Sequence, residues 1–303
     1  DVFLTVDFPG LNARLARWAR KRGVHTVHLV APASWAYMPW RTLRWRLALD
    51  RLLATFPFEA VLLEGSGVPS TFVGHPLFEA PLPAPRTPET WPGDGPCRVE
   101  LLPGSRHQEI RAHAPLLLEA AAQVEAGMPA ASIEYVVRLA EAEHRAVFDD
   151  AASRARRCPE RVGFATPAGG DGTTDASERP LLGAIASSGT VPAALGADAV
   201  PMAIVYRLSP FAAFGAWVGL ITPFFGLANL IAGRQVAPER IQISGRGRRV
   251  AEDFLGVVAS PDVWTRTRAQ LVERVRDRIA VPDVADRAAR AVLQEPPRAT
   301  RSA

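Results

Sequence analysis

The chain has 303 residues, 35 Lys+Arg against 31 Asp+Glu for a net charge of +4, and 48% hydrophobic residues. With a mean hydropathy of +0.04, this composition excludes a disordered, collagen-like or disulfide-stapled chain, and the length suits two domains or one large one. Lys21 is the only lysine, so arginine carries the positive charge. Arginine-rich stretches at 14–22, 41–51 and 234–249 favour anionic partners; spread over solvated helix faces, the same residues would have no partner at all.

Residues 2–6 read as a buried strand, and no charged stretch or signal-peptide cleavage pattern precedes it. The chain is therefore expected to begin inside a domain, with a truncated N-terminus. Apolar runs then alternate with amphipathic stretches: a helix over 11–22, a strand over 26–30, a helix over 41–53, a further apolar run at 60–63 and a strand over 70–73. Such alternation predicts a parallel sheet covered by helices on both faces. Proline-rich residues 81–97 break the period as an interdomain linker would.

The pattern resumes with a strand over 98–102, a turn at Pro103-Gly104-Ser105 and a helix over 108–125. A strand over 132–138, a helix over 141–157, a polar loop at 169–175 and a strand over 181–186 follow. That strand ends in Ser187-Ser188-Gly189-Thr190, and a short helix leads to another strand over 199–206. Residues 263–293 read as two amphipathic helices divided near Pro282, followed by a frayed tail. Residues 211–232 carry no charge. The length of this run would permit a membrane span, but Pro223, the internal glycines and Asn229 argue against a continuous one and favour an interfacial apolar surface or ordinary core.

Two junctions carry candidate chemistry. Gly104-Ser105-Arg106, between a strand and a helix, offers backbone N–H groups to an anion, and Arg106 could add a bidentate clamp; a tight turn is the plain alternative. Ser188-Gly189-Thr190 sits at the same kind of junction, and two such turns at strand carboxyl ends would converge where α/β folds bind ligands. Asp7, at the end of the first strand, is either a general base or the cap of the next helix. His75 reads more readily as a packed residue than a catalytic one. Cys97 and Cys158 match no zinc or redox spacing, which suits a reducing cytoplasmic setting, and neither a metal nor another cofactor is expected.

Read in order, Asp7-Phe8-Pro9-Gly10-Leu11-Asn12, Val30-Ala31-Pro32-Ala33-Ser34-Trp35, Phe56-Pro57-Phe58-Glu59, Val73-Gly74-His75-Pro76 and Leu101 to Arg106 with Glu109 resemble the motif series of lipid-A-disaccharide synthases. Ser188-Gly189-Thr190, Pro201-Met202 with Tyr206-Arg207, Leu227 to Gly233 with its Asn229, and Pro238-Glu239-Arg240-Ile241-Gln242 continue that series in the family's order and spacing.

The resemblance implies two α/β Rossmann-like domains facing across a cleft, the GT-B fold. The acceptor-side domain would occupy 1–80 without its first βα units. The nucleotide-sugar domain would occupy 98–262, after the 81–97 linker, with C-terminal helices and tail over 263–303. It implies an inverting hexosyltransferase that joins UDP-2,3-diacylglucosamine to the 6-hydroxyl of 2,3-diacylglucosamine 1-phosphate, without a metal and without nucleic acid as a partner. On that resemblance Asp7 and Arg106 are catalytic. Gly104, Ser105, Ser188, Gly189, Thr190, Asn229 and Gln242 surround the UDP-sugar, and Ser34, Trp35, Glu59, His75 and Tyr206 are further substrate contacts. The family setting implies a peripheral enzyme at an anionic inner-membrane surface, and its exchange of C-terminal segments between subunits allows a homodimer.

Three departures stand against that pattern. The family's Gly-Glu-x-Ser-Gly-Asp motif is absent from the sequence. Ala194 stands where the family usually has a Glu able to bind the nucleotide ribose. Gly10 replaces a common second Asp, and 211–226 is unusually apolar. They motivate the alternative of a membrane-associated nucleotide-sugar-binding protein without catalysis; the fold would also permit a GT-B enzyme for another UDP-sugar, which the Trp35 and Asn229 motifs fit less well.

Overall fold

The computed structural model describes residues 1–32, 42–166, 178–207, 222–242 and 247–294, with the Gln242 side chain left aside. Among them the chain forms two compact units, one from the described residues of 1–82, 222–223 and 278–294 and one from those of 83–207 and 224–277.

The first unit is built on a four-stranded parallel sheet in the order β1-β2-β3-β4, from β1 (Val2–Val6), β2 (His25–Leu29), β3 (Arg51–Ala54) and β4 (Ser70–Phe72). Helices α1 (Pro9–Arg20), α2 (Thr42–Ala48) and α3 (Pro57–Gly65) connect the strands. The single helix expected over 41–53 is in fact α2 followed by β3. Leu52, Leu53 and Ala54 are fully buried, so this run is hydrophobic on both faces, as a covered parallel strand is, and periodicity could not separate it from a helix face. The run at 60–63 lies in α3, which begins at Pro57 because Glu59 reaches back to the Phe56 and Thr55 N–H groups at 3.0 and 3.2 Å.

The second unit holds a six-stranded parallel sheet in the order β10-β9-β8-β5-β6-β7. Its strands are β5 (Pro96–Leu102), β6 (Ser132–Arg138), β7 (Val162–Ala165), β8 (Leu181–Ser187), β9 (Met202–Arg207) and β10 (Glu239–Gln242). The helices are α4 (His107–Gly127), α5 (His144–Ala152), α6 (Val191–Ala197), α7 (Leu227–Ala232), α8 (Arg248–Val258) and α9 (Pro261–Leu271). Every residue of β8 is buried, as expected for a central strand with helices on both faces. Val99, Leu101, Ile185 and Val205 form the core with Phe254 and Trp264. Trp264 Nε1 donates to Leu182 O at 2.8 Å and the Tyr135 hydroxyl donates to Ala121 O at 2.9 Å, so the large buried rings keep their polar atoms paired.

A π-helical turn (Val272–Arg276) and a short turn (Asp277–Ile279) follow α9, and α10 (Val284–Leu293) then packs in the first unit. There Ala291 joins Val27, Leu53 and Val73, and Arg287 donates to the Val73 and Phe72 carbonyls at 3.0 and 3.2 Å. No helix among the described residues is long and apolar enough to cross a membrane. The first half of the charge-free run, 211–221, lies outside the described residues, as do the loop at 169–175 and the tail from 295 onward.

Candidate functional site

The two turns singled out from the sequence meet at the carboxyl ends of neighbouring strands β5 and β8. Gly104, Ser105 and Arg106 from one, and Ser188, Gly189 and Thr190 from the other, line a single pocket of about 360 Å³. Gly104 takes φ +111, and a Cβ there would stand 2.5 Å from Glu109 Oε2, so the turn needs glycine both for its backbone and for the close carboxylate. Gly189 takes φ +151, and a Cβ there would meet nothing within 4 Å, so here the backbone conformation alone favours glycine.

Glu109 sits in the first turn of α4 and organises this corner. Its Oε2 accepts the Ser105 N–H at 3.2 Å and its Oε1 accepts from Arg106 Nη1 at 2.8 Å. The Arg106 side chain is 81% exposed, so it can swing to a bound anion at little cost. A second arginine, Arg138 at the end of β6, also lines the pocket. Its Nε lies 2.8 Å from Glu100 Oε1, a fully buried carboxylate that is also paired with Arg86. A buried carboxylate is tolerated only with such partners, and here it anchors Arg138 at the pocket wall.

His113, inside α4, braces the same turn from below. Its Nδ1 meets Pro103 O at 2.9 Å, and its Nε2 accepts the Arg207 N–H at 3.0 Å. That pairing assigns the proton to Nδ1 of a neutral ring, and burial holds the pKa below the usual histidine value. Arg138 and His113 carry no site signal in the sequence because their role is tertiary, and Glu109 stands there only as a member of the motif that follows β5.

Asn229 is engaged inside the fold. It is fully buried, its Oδ1 accepts the Val236 and Ala237 N–H groups at 2.7 and 2.9 Å, and its Nδ2 donates to Ala237 O and Glu239 Oε2 at 2.8 and 2.9 Å. Its four hydrogen bonds are all internal. Glu239 in turn accepts the Phe225 and Gly226 N–H groups at 3.0 and 2.9 Å, filling the start of α7 with a carboxylate. Burial raises the Glu239 pKa, and these hydrogen bonds oppose the rise.

In the first unit Asp7 lies exposed at the carboxyl end of β1, with φ +48, and Phe8 follows at φ +46. The Asn12 side chain holds that turn by donating to Asp7 O and Val6 O at 2.6 and 3.1 Å. Phe8, not Asp7, is the residue before α1, and no side chain caps the helix. The Asp7 carboxylate is therefore not consumed by capping. Glu59 is the buried cap of α3. His75 takes the Leu77 N–H on Nδ1 at 3.2 Å and stacks between Phe56 and Phe78 at 5.4 and 5.2 Å, so both side chains serve the fold. Burial lowers the His75 pKa. Tyr206 is half-buried in β9, with its ring 6.1 Å from His113. Gln242 ends β10 beside Arg207, and Ser34 and Trp35 lie outside the described residues. Among the described residues no group of three His, Cys, Asp or Glu side chains could hold a metal ion.

Solved structures share the fold. An S. aureus MnaA complex with UDP superposes with TM-score 0.57 at 11% identity, over 98% of this chain and 76% of that one. A putative UDP-N-acetylglucosamine 2-epimerase from Listeria monocytogenes gives 0.55 at 12%, over 96% and 73%. These neighbours are GT-B glycosyltransferases and related Rossmann-like proteins, so the expected fold class holds, and at such identity the likeness extends to the fold alone. Sequence relatives go further. The lipid-A-disaccharide synthases of Azotobacter vinelandii and Acidobacterium capsulatum are 34% and 32% identical over 259 and 294 residues, 84% and 93% of this chain. The chain spans 66% and 71% of their respective lengths. The family profile described as lipid-A-disaccharide synthetase matches residues 1–259, and with these relatives it shows that the chain belongs to that family.

Proposed function

We propose that the chain carries the donor site and the catalytic carboxylate of an inverting glycosyltransferase that forms the β-1,6-linked lipid A disaccharide 1-phosphate. The donor would be UDP-2,3-diacylglucosamine and the acceptor 2,3-diacylglucosamine 1-phosphate. The observation that carries this reading is the pocket between the Gly104–Arg106 and Ser188–Thr190 turns, where two glycine turns and two arginines line one cavity. The N-terminus of α4, a helix of 21 residues, adds its partial positive charge.

In this reading the Asp7 carboxylate takes the proton of the acceptor 6-hydroxyl as its oxygen attacks the anomeric carbon of the donor. The bond from that carbon to the UDP oxygen breaks, and UDP leaves with the electron pair. Arg106, Arg138 and the turn N–H groups offset the charge that grows on the diphosphate. Attack opposite to the leaving group gives the β linkage. The reading places the enzyme at an anionic inner-membrane surface, where its acylated substrates reside.

The test is glycosyl transfer by the full-length gene product. Disaccharide and UDP should appear together, and transfer should persist in the presence of a chelator. Absence of disaccharide at high enzyme concentration would overturn the proposal. UDP binding that survives without transfer would instead favour a nucleotide-sugar-binding protein, a reading consistent with Ala194.

A further inference from the structure

A second pocket of about 500 Å³ lies on the outer face of α4, with no residue in common with the site above. Arg111, Arg154, Arg156 and Arg207 converge on it, and Glu119 is the one carboxylate in its lining. The two Glu119 oxygens are engaged by backbone, Oε1 by the Arg156 N–H at 3.2 Å and Oε2 by the Gly247 N–H at 3.3 Å. Among the described residues no carboxylate lies within ion-pair distance of Arg111, Arg156 or Arg207. Arg154 meets only the exposed Asp150, at 3.3 Å. A neighbouring depression of about 250 Å³ shares Glu119 and Arg156 and adds Arg157 and Arg248.

Four guanidinium groups held around one cavity repel each other, and a multiply charged anion entering it removes that repulsion while accepting their N–H groups. We propose that this pocket is a second anion site, built for the phosphate group of a phosphate ester. A phosphate offers several oxygens to several planar donor forks, which a single carboxylate does not. Among the described residues no aromatic ring lines the cavity, and Ala112, Pro115 and Leu116 form its apolar wall, so the phosphate group itself is what this lining is suited to hold. The ester is either soluble or the headgroup of an anionic lipid. The proposal does not rest on glycosyl transfer, because it is read by binding alone.

The test uses the purified chain with isotopically labelled arginine, following the side-chain Nε–H signals during titration with inorganic phosphate. The signals of Arg111, Arg156 and Arg207 should shift together and saturate, and should do so equally in an Arg106→Ala variant. Arg111→Glu with Arg156→Glu should weaken that binding about ten-fold or more, and the milder pair Arg111→Gln with Arg156→Gln should weaken it by less. Sedimentation with phosphatidylcholine vesicles, with and without phosphatidylglycerol, identifies the source. Retention on the anionic vesicles that phosphate competes away marks a lipid headgroup, and phosphate binding without retention marks a soluble ester. Absence of shifts at these three arginines, or phosphate binding unchanged in both double variants, would overturn the proposal.

Discussion

Glu109 and Arg106 form an ion pair of 2.8 Å across the first turn of α4, and the same carboxylate accepts the Ser105 N–H. An internal anion thus already occupies the corner where a diphosphate is proposed to bind, and ligand and Glu109 compete for one guanidinium. Arg106→Ala should lower turnover by about two decades or more, since a charge-assisted contact to the leaving group is lost. Arg106→Lys should recover little of it, because a point charge does not reproduce the bidentate fork. Glu109→Gln should raise the affinity for bare UDP a few-fold, by about 1 kcal/mol or less, and calorimetric titration of the three variants checks the ranking.

Asp7 can be tested apart from the fold. It caps no helix, and it is exposed. Asp7→Asn should therefore leave unfolding by urea within about 0.5 kcal/mol of the parent chain while turnover falls by several decades through loss of the base. Full activity of Asp7→Asn would show that another group takes the proton. Asn12→Ala is the complementary change. It removes the two hydrogen bonds that hold the Asp7 turn, so it should cost about 1–2 kcal/mol of stability as well as rate.

Strands β1, β2, β4, β5, β6, β8 and β9 and both pocket turns were legible because each is a local pattern. Apolar runs bounded by turn residues mark β1, β5, β6 and β8, and a glycine after a strand marks a tight junction. β3 was not legible, since Leu52-Leu53-Ala54 continues the amphipathic run of α2 with no breaker between them except Asp50. Arg138 and Glu109 lie at ordinary positions in a strand and a helix, and their place in the pocket follows from sheet order, which sequence periodicity does not encode. Asn229 shows the opposite limit. Its motif is recognisable in sequence, yet only the fold reveals that its amide is spent on Val236, Ala237 and Glu239.

Asn229→Ala accordingly should act on stability first. Two backbone N–H groups, one carbonyl and one buried carboxylate oxygen each lose a partner. Unsatisfied buried groups cost about 1–3 kcal/mol each before relaxation, so a total loss of about 3 kcal/mol or more is expected in chemical unfolding. A variant of undiminished stability with weakened UDP binding would reverse this assignment and return Asn229 to the ligand.

His28 predicts a pH dependence. Its ring is fully buried in β2, with Nδ1 2.8 Å from Thr5 Oγ1 and Trp45 at 4.5 Å. Burial pushes its pKa down to about 4, against an upward pull from Asp7 and the Val30 backbone. The unfolded chain takes up this proton near pH 6.5 and the folded chain only near 4, so the stabilisation is complete above 6.5 and is lost as pH falls through that window. The difference corresponds to about 3 kcal/mol. The gap in unfolding free energy between the parent chain and His28→Gln should shrink by that order from pH 7 to pH 4. A pH-independent gap would mean that the fold does not hold the His28 pKa below its unfolded value.

Ala194 offers a gain-of-function test of the donor site. It is exposed on α6, one turn beyond Thr190 and Val191, which line the pocket. The family usually has Glu at this position, where a carboxylate can accept the ribose hydroxyl protons. A charge-assisted hydrogen bond of that kind is worth about 1.5–3 kcal/mol, which is about one to two decades in affinity. Ala194→Glu should therefore tighten UDP binding by about ten-fold or more, with little change for inorganic diphosphate, which has no ribose to meet the new group. Equal tightening of both ligands would mean that the added carboxylate acts on the turn and not on the nucleoside. A loss of UDP affinity would mean that α6 presents position 194 away from the ribose, and that the donor lies otherwise in the pocket.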